Sequence, residues 1–289
     1  MRPRILGALS AALLALVGAV AGAPSVAGAV GAPAAAAPPG EAIGPGVQMF
    51  TDGAQCTANF VFRDGSGRTY VGYAAHCAGL GSATDTNGCR SRSLPLGTRV
   101  RFATGATAAT AGTTLGHGTL VYSSWRAMRS IGITAANPCA ANDFALVRVD
   151  RADLGAVNPT VPLWGGPTRV GTGAPAGDQV YSWGQSSLRP TTVLSPKTGV
   201  SLGSTYGGWG LDVYTVTPGI PGDSGSGFLD AEGRAVGTLS TVALAPLAGS
   251  NGLGNLTREL DFARRHSGIG GLRLVPGDQP FSAIPLSAP

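Results

Sequence analysis

The sequence predicts an all-β protein, a β-sandwich or β-barrel built from many short strands. Runs of β-prone residues recur along the chain, separated by glycine-rich turns, and they do not alternate regularly with helical patterns. The 46 glycines and 21 prolines fit many turns and follow no collagen-like period. With 43% hydrophobic residues among 289, the chain can bury a sizeable core as one large domain or two medium ones.

The first clear strand signal is a hairpin. Residues 56–63 alternate Phe60 and Phe62 with a valine, the turn sequence Asp-Gly-Ser-Gly follows, and residues 69–74 return as the partner strand. Further strands are predicted at residues 98–103, 118–123, 143–150, 179–183, 211–217, 227–229 and 235–241.

Two other segments complete the predicted organisation. Residues 158–177 are rich in proline and glycine and predict a crossing between two β units. A late helix is predicted at residues 255–266, because Leu256 and Leu260 fall on one face and Asn255 can cap its start. The tail beyond it carries four prolines and is expected to be extended and loosely held.

The N-terminus predicts export. Two arginines precede an apolar run at residues 5–20, and a small-residue cleavage pattern ends at Ala29. We therefore predict a signal peptide at residues 1–29 and an Ala/Pro-rich spacer at residues 30–46. The alternative is an uncleaved membrane anchor, but the strongly apolar run is shorter than the ~20 residues that a spanning helix needs. The expected location is extracellular.

The charge pattern indicates no specialised partner. The formal charge is +5 and charged residues make up 12%, with no cluster of Lys and Arg forming a basic stripe. We therefore expect no nucleic-acid partner. We also expect no stable membrane association, and a monomer.

The four cysteines are Cys56, Cys77, Cys89 and Cys139. Their number is even and no C-x-x-C pair occurs, so disulfides are favoured over zinc in an exported protein. Four cysteines permit three pairings, and their spacing alone does not choose among them. Elsewhere no His/Asp/Glu cluster has ligand spacing, so neither a metal nor an organic cofactor is expected.

Ser224 lies in the segment Gly-Asp-Ser-Gly, which suits a nucleophile. A serine hydroxyl needs a base and a backbone that projects it into a cleft. The flanking glycines permit a tight turn that exposes the hydroxyl and aims the N–H groups of Gly222 and Ser224 at one point, where an oxyanion would form. The alternative is an ordinary Gly/Ser turn.

His76 is the candidate base among the three histidines. It closes a β run of small residues, and the adjacent Cys77 could tether its loop without occupying a ring nitrogen. His117, in a glycine turn, and His266, at the end of the predicted helix, suit surface roles.

Asp143 is the candidate orienting acid. It begins the run Asp-Phe-Ala-Leu-Val, so the backbone enters the core directly after it and the carboxylate lies at the edge of the core. There it could accept the imidazole N–H and stabilise the imidazolium. The alternative is a strand-end aspartate that satisfies nearby backbone groups.

The motifs Ala-Ala-His-Cys, Asp-Phe-Ala-Leu and Gly-Asp-Ser-Gly, in this order, resemble those of the chymotrypsin/trypsin family of serine peptidases, in particular its short secreted bacterial branch. The resemblance covers the chain from about Gln55 to His266. It implies a catalytic triad of His76, Asp143 and Ser224, whose roles are inherited from that family.

The resemblance also implies the architecture: two packed six-stranded antiparallel β-barrels with a C-terminal helix. Residues 47–160 would form the first barrel, with the histidine and aspartate, and residues 161–289 the second, with the nucleophile loop, helix and tail. It further implies the disulfide Cys56–Cys77, which leaves Cys89 to pair with Cys139.

Some family features are missing. No Ile-Val-Gly-Gly-like start follows a basic residue, so Asp223 is expected to pair with another cation, an arginine being the first candidate. The predicted specificity pocket has Pro218 at its floor and Ser240 and Val242 on a wall. Since the floor lacks an acid and Val242 replaces a glycine, we hypothesise a preference for small or medium apolar side chains.

The resulting prediction is a secreted serine endopeptidase that acts on polypeptides through an acyl-enzyme. One alternative is an α/β-hydrolase esterase, for which Asp261 and His266 follow the serine in suitable order, although Ser226 replaces the second glycine of its motif. Another is a catalytically inactive binding protein on the same fold.

Overall fold

The computed structural model of the chain describes residue 38 and residues 40–81, 86–242 and 249–284. The predicted signal peptide lies outside these residues. The described residues belong to one compact unit and form a mostly β structure, as predicted. The strands are β1 (Gln48–Thr51), β2 (Ala54–Thr57), β3 (Val61–Arg63), β4 (Thr69–Tyr73), β5 (Arg99–Thr104), β6 (Thr113–Ser123), β7 (Ala145–Val149), β8 (Gln179–Trp183), β9 (Pro196–Thr205), β10 (Gly210–Thr215), β11 (Gly227–Asp230), β12 (Ala235–Val242), β13 (Asn251–Asn255) and β14 (Arg273–Leu274).

Three α-helices accompany the strands: α1 (Ser124–Ser130), α2 (Ala136–Ala141) and α3 (Leu256–His266). Helix α3 confirms the predicted late helix, and the Asn255 side chain caps it by accepting hydrogen bonds from the N–H groups of Thr257 and Arg258. The two short helices α1 and α2 were not predicted. No helix among the described residues has the length and apolar character that crossing a bilayer requires.

The first sheet has the order β14-β3-β4-β7-β6-β5-β1-β2. β2, at one end of this order, and β3, next to β14 at the other, are consecutive in the chain and form the halves of one bent strand. At the bend the Ala58 N–H donates to Val47 O at 2.9 Å, beside β1, whereas the Asn59 N–H donates to Gly72 O at 2.8 Å, within β4. The strand thus changes partners and joins the ends of the sheet, so six strands form a ring and β14 is added beside β3.

The second sheet is a closed barrel of six strands in the order β10-β13-β12-β11-β8-β9. Its interior is apolar and includes Val180, Val213, Phe228 and Leu253. All strand pairs of both sheets are antiparallel. This excludes the α/β-hydrolase fold of the esterase alternative, which requires strands alternating with helices.

Both ends of the described chain pack more closely than predicted. Ala42 and Ile43 are buried, and Ile43 forms a bridge with Val157, so packing begins inside the predicted spacer. The tail was expected to be loosely held, and this was wrong. Instead it supplies β14, and the Val275 N–H donates to Val61 O at 2.9 Å, because β3 offers an open edge there.

Two disulfides join Cys56 to Cys77 and Cys89 to Cys139. This confirms the pairing that the family resemblance implied. No free cysteine remains.

Candidate active site

His76, Asp143 and Ser224 line one cavity of about 590 Å³. His76 lies in the single helical turn Ala75–Ala78, directly after β4, and Asp143 lies between α2 and β7. Ser224 lies in the loop between β10 and β11. Residues distant in sequence are thus brought to the same cavity from both barrels. His117 and His266 are exposed and do not line it.

The Asp143 carboxylate holds His76 at two points. Asp143 Oδ2 lies 2.6 Å from His76 Nδ1, and Asp143 Oδ1 accepts the His76 backbone N–H at 2.8 Å. The disulfide from Cys77 to Cys56 fixes the same turn to β2. Since Nδ1 donates its N–H to the carboxylate in a hydrogen bond, Nε2 is the ring nitrogen left to act as a base.

The two groups shift each other's pKa. Burial would lower the pKa of His76, but the charge and the hydrogen bond of Asp143 outweigh burial and raise it above 6.5. Burial would raise the pKa of Asp143, but the charge of His76 and hydrogen bonds from His76 and Ser240 keep it below 3.8. Each group therefore stabilises the charged form of the other.

Glycines shape the loop that carries Ser224. Gly222 and Gly225 have φ values of 97° and 91°, in the left-handed region that favours glycine. The loop is anchored at 2.8 Å by the Thr57 N–H to Ser224 O, and at 2.7 Å by the Gly225 N–H to Leu239 O. Among the hydrogen bonds of the described residues, none joins Ser224 Oγ to His76.

The N–H groups of Gly222 and Ser224 have no hydrogen-bond partner among the described residues. The carbonyl that precedes each N–H in the chain is engaged on the opposite side of its peptide: Ser186 Oγ donates to Pro221 O at 2.5 Å, and the Ser226 N–H donates to Asp223 O at 3.0 Å. Both donors are thus left free, as an oxyanion site requires.

Gln55 braces the same loop from β2. Its Nε2 lies 3.1 Å from Gly222 O and 3.1 Å from Gln185 O, and its Oε1 accepts the Ser187 N–H at 2.8 Å. Gln55 was not predicted as a site residue, because a lone glutamine before a cysteine has no local signature in the sequence.

Asp223 is completely buried and pairs with two cations. Arg189 binds both carboxylate oxygens, and Lys197 Nζ lies 2.9 Å from Oδ2. The arginine was expected, whereas Lys197 was not, because it opens a β-strand and reaches Asp223 only in the folded chain. Burial lowers the pKa of Lys197 despite the opposing effect of Asp223.

Two of the three predicted pocket residues line the cavity, and the third does not. Ser240 and Val242 line the cavity, and Ser240 Oγ also donates to Asp143 Oδ2 at 2.6 Å. Pro218 is exposed and lies outside the cavity lining, and its carbonyl faces Lys197 Nζ at 3.4 Å. Asn251, which the sequence analysis missed, lines the cavity from β13.

One group of side chains has the composition of a metal site. Atoms of Cys56, His76 and Cys77 lie within 4.8 Å of one another. Both sulfurs are bonded in the disulfide, so neither is available as a thiolate ligand.

No protein-family model and no curated protein matches the chain. Among solved structures it is similar to Thermobifida fusca Protease A, with 21% identity over 81% of this chain and 99% of that chain and a TM-score of 0.49. It is also similar to Nocardiopsis Protease, with 21% identity over 80% of this chain and 98% of that chain and a TM-score of 0.44. A third similar structure is Cellulomonas bogoriensis chymotrypsin, with 18% identity over 81% of this chain and 98% of that chain and a TM-score of 0.44.

The strand order by itself defines the fold. One ring of six strands contains a bent strand, the second ring is a closed barrel, and a helix follows the last barrel strand. The chain therefore has the double-barrel fold of the chymotrypsin-like serine proteases, as the sequence motifs predicted.

Proposed function

We propose that this protein is a secreted serine endopeptidase with the catalytic triad His76, Asp143 and Ser224. The observation that carries the proposal is the 2.6 Å contact between His76 Nδ1 and Asp143 Oδ2 in the cavity that Ser224 also lines. The free N–H groups of Gly222 and Ser224 support the same reaction.

In the proposed reaction, Ser224 Oγ attacks the carbonyl carbon of the scissile peptide bond while His76 Nε2 takes the hydroxyl proton. The carbonyl oxygen gains a negative charge, which the N–H groups of Gly222 and Ser224 stabilise. His76 then gives its proton to the leaving amine as the C–N bond breaks. Water hydrolyses the acyl-enzyme through the same steps in reverse roles.

The cavity lining supports polypeptide substrates with small or medium apolar side chains. Leu239 and Val242 are among the lining residues, and no Asp or Glu other than Asp143 occurs among the described ones. Two disulfides in a chain without free cysteines support an extracellular location.

The test is labelling by a fluorescent alkyl phosphonate combined with peptide hydrolysis. Wild type should be labelled and should cleave peptides after small apolar residues, whereas Ser224→Ala should do neither. Ser226→Ala is the matched control, since Ser226 is fully buried in the same loop. If wild type is not labelled, the binding-protein alternative holds, and strong cleavage after arginine would contradict the proposed preference.

A further inference from the structure

A buried carboxyl group lies behind the proposed triad and has no role in the reaction described above. Glu259 projects from α3 and is 0% exposed. Its Oε1 accepts the backbone N–H of Asp143 at 3.0 Å, and its Oε2 lies 2.9 Å from Thr238 Oγ1. Because Asp143 belongs to the first barrel and Thr238 to β12 of the second, this carboxyl group connects the two barrels.

The surroundings are built to accommodate this group. Thr238 Oγ1 also accepts from Asn59 Nδ2 at 3.3 Å, which extends the connection to the bend of the first sheet. A Cβ atom on Gly254 would lie 2.0 Å from Glu259 Oε1, so β13 must carry glycine there for the carboxyl group to fit. In the part of the chain that the structure describes, no Lys, Arg or His forms an ion pair with Glu259.

A buried carboxylate without a cation is costly, so the acid is held neutral. Burial first, and then the charge of Asp143, raise the pKa of Glu259 to about 8. Two further titratable groups are linked to this site. Burial and then the charge of Glu259 raise the pKa of Tyr122 of β6, whereas the charge of Arg265, on α3 itself, lowers it.

None of the remaining neighbouring elements forms an ion pair with Glu259 in the part of the chain that the structure describes. β12 and β13 contain no titratable residue. The two arginines of α1 are directed to backbone carbonyl groups: Arg126 to those of Ser93 and Leu94, and Arg129 to that of Ser91.

We propose that Glu259 is a positioning residue: an uncharged acid that holds the Asp143 backbone between the two barrels, so that the Asp143 carboxylate stays on His76. This role rests on the proposed function. Asp143 Oδ1 and Oδ2 are occupied by His76 and Ser240. Glu259 therefore contacts Asp143 through its backbone N–H, and the carboxylate keeps its hydrogen bonds to His76 and Ser240.

The first experiment compares Glu259→Gln with Glu259→Leu. Glutamine can accept the Asp143 N–H and donate to Thr238 while remaining neutral, so its kcat at pH 7.5 should stay close to that of wild type. Leucine leaves the Asp143 N–H without an acceptor, and kcat should fall by up to about 100-fold with KM little changed, as expected for a displaced triad. A folded Glu259→Leu protein with wild-type kcat, or a Gln variant as impaired as the Leu variant, would overturn the proposal.

The second experiment does not depend on activity. Between about pH 4.5 and pH 8, folded wild type keeps a proton on Glu259 that the unfolded chain releases. Raising the pH through this range must therefore lower the Tm of wild type relative to that of Glu259→Gln. Because His76 titrates in both proteins, the difference between the two Tm profiles isolates Glu259.

The two readouts separate the possible failures. Parallel Tm profiles from pH 5 to pH 8 would show that Glu259 is not a neutral acid, and the inference would fail whatever the enzyme does. In another outcome, the wild-type Tm rises relative to that of Glu259→Gln as the pH falls, but the phosphonate does not label the protein. That outcome would reject the proposed function. If Glu259→Leu does not fold, Thr238→Val replaces it: it removes the partner of Oε2, and an unchanged kcat in that variant counts against the connection between the barrels.

Discussion

Every oxygen of the Asp143 carboxylate is engaged. Oδ1 accepts the His76 N–H, while Oδ2 contacts both His76 Nδ1 and Ser240 Oγ at 2.6 Å. These bonds fix the carboxylate and make it the source of the raised His76 pKa. Since burial acts on His76 in the opposite direction, Asp143 decides the sign of the shift.

The first prediction follows from this balance. Asp143→Asn should lower kcat about 10⁴-fold, which is the loss known for the equivalent substitution in chymotrypsin-like serine proteases. It should also move the acid limb of the kcat/KM profile to lower pH, because burial alone then acts on the pKa of His76. The measurement is kcat/KM from pH 5 to pH 9, with the exposed Asp261→Asn as control. An acid limb that stays in place would contradict the prediction.

The second prediction concerns Ser186, whose hydroxyl holds Pro221 O at 2.5 Å. Without it the Pro221–Gly222 peptide can rotate and withdraw an oxyanion donor. Ser186→Ala should therefore lower kcat by roughly 10- to 100-fold, less than the ~10²–10³-fold that outright loss of a donor costs.

A matched control for Ser186 is its neighbour Ser187→Ala, because the Ser187 contact to Gln55 uses the backbone N–H. Steady-state kinetics of both variants on one peptide give the comparison. Equal kcat values would show that the Pro221 carbonyl is held by other means.

The sequence yields candidate site residues where their local context is distinctive. His76, Asp143 and Ser224 each lie in a short segment of distinctive composition. Gln55 and Glu259 do not, since their roles arise from contacts across 167 and 116 residues, respectively. Such side chains become recognisable once folding has chosen their neighbours.

At the level of elements, the same limit explains the missed strands. β13 has the sequence Asn-Gly-Leu-Gly-Asn, which by itself indicates a turn. Its glycines make room for neighbours: a Cβ on Gly252 would lie 2.4 Å from Thr241 Oγ1, and Gly254 faces Glu259. β9 begins with proline and contains two glycines, so its composition also concealed a strand.

Two hairpins share one turn design that the sequence analysis did not notice. Asp64 and Asp230 each use Oδ1 to accept two backbone N–H groups, and each uses Oδ2 to accept from an arginine Nε four residues later at 2.6 Å. In both, a glycine of positive φ precedes the arginine: Gly67 in one turn and Gly233 in the other. In each turn a buried carboxylate thus accepts at least three hydrogen bonds in addition to those between backbone groups.

The third prediction tests the first of these turns. Burial would raise the pKa of Asp64, but hydrogen bonds from Arg68, Tyr70 and the backbone lower it to about 2. Because this pKa is depressed on folding, the stabilisation is present above pH 3.8 and is lost as the pH falls toward 2. Asp64→Ala should lower the free energy of unfolding by about 1–3 kcal/mol at pH 7.

Urea unfolding at pH 7 and at pH 2.5 measures this effect. The difference between Asp64→Ala and wild type should shrink at the lower pH. Asp261→Ala, which breaks an exposed pair with Arg264, is the control and should change stability by less than about 1 kcal/mol. A pH-independent difference for Asp64→Ala would show that the charge is not the source of its contribution.

For the molecule as a whole, the bent strand ties the barrels together at the cleft. Thr57 holds the Ser224 and Gly222 carbonyls of the second barrel, and Asn59 contacts Thr238. These contacts lie where the strand changes partners, so the irregular part of the first sheet is also its contact with the loop that carries Ser224. Composition and periodicity predicted an all-β sandwich or barrel, and the family resemblance implied two barrels, but this partner change depends on distant residues.

The fourth prediction uses the two disulfides, which differ in what they hold. Cys89–Cys139 closes 50 residues and Cys56–Cys77 closes 21. By chain entropy, replacing each pair with alanines should cost about 4 and about 3 kcal/mol, respectively. Cys56 and Cys77 line the active-site cavity beside His76, whereas Cys89 and Cys139 do not. The shorter loop should therefore matter more for catalysis and the longer one more for stability.

Denaturant unfolding and kcat of the two double variants give that comparison under conditions where both are folded. Cys56→Ala/Cys77→Ala should lose more kcat than Cys89→Ala/Cys139→Ala although it loses less stability, because the turn that carries His76 is then held by Asp143 without its covalent tie to β2. If kcat instead fell in proportion to stability in both variants, the Cys56–Cys77 disulfide would have no separate part in holding the imidazole.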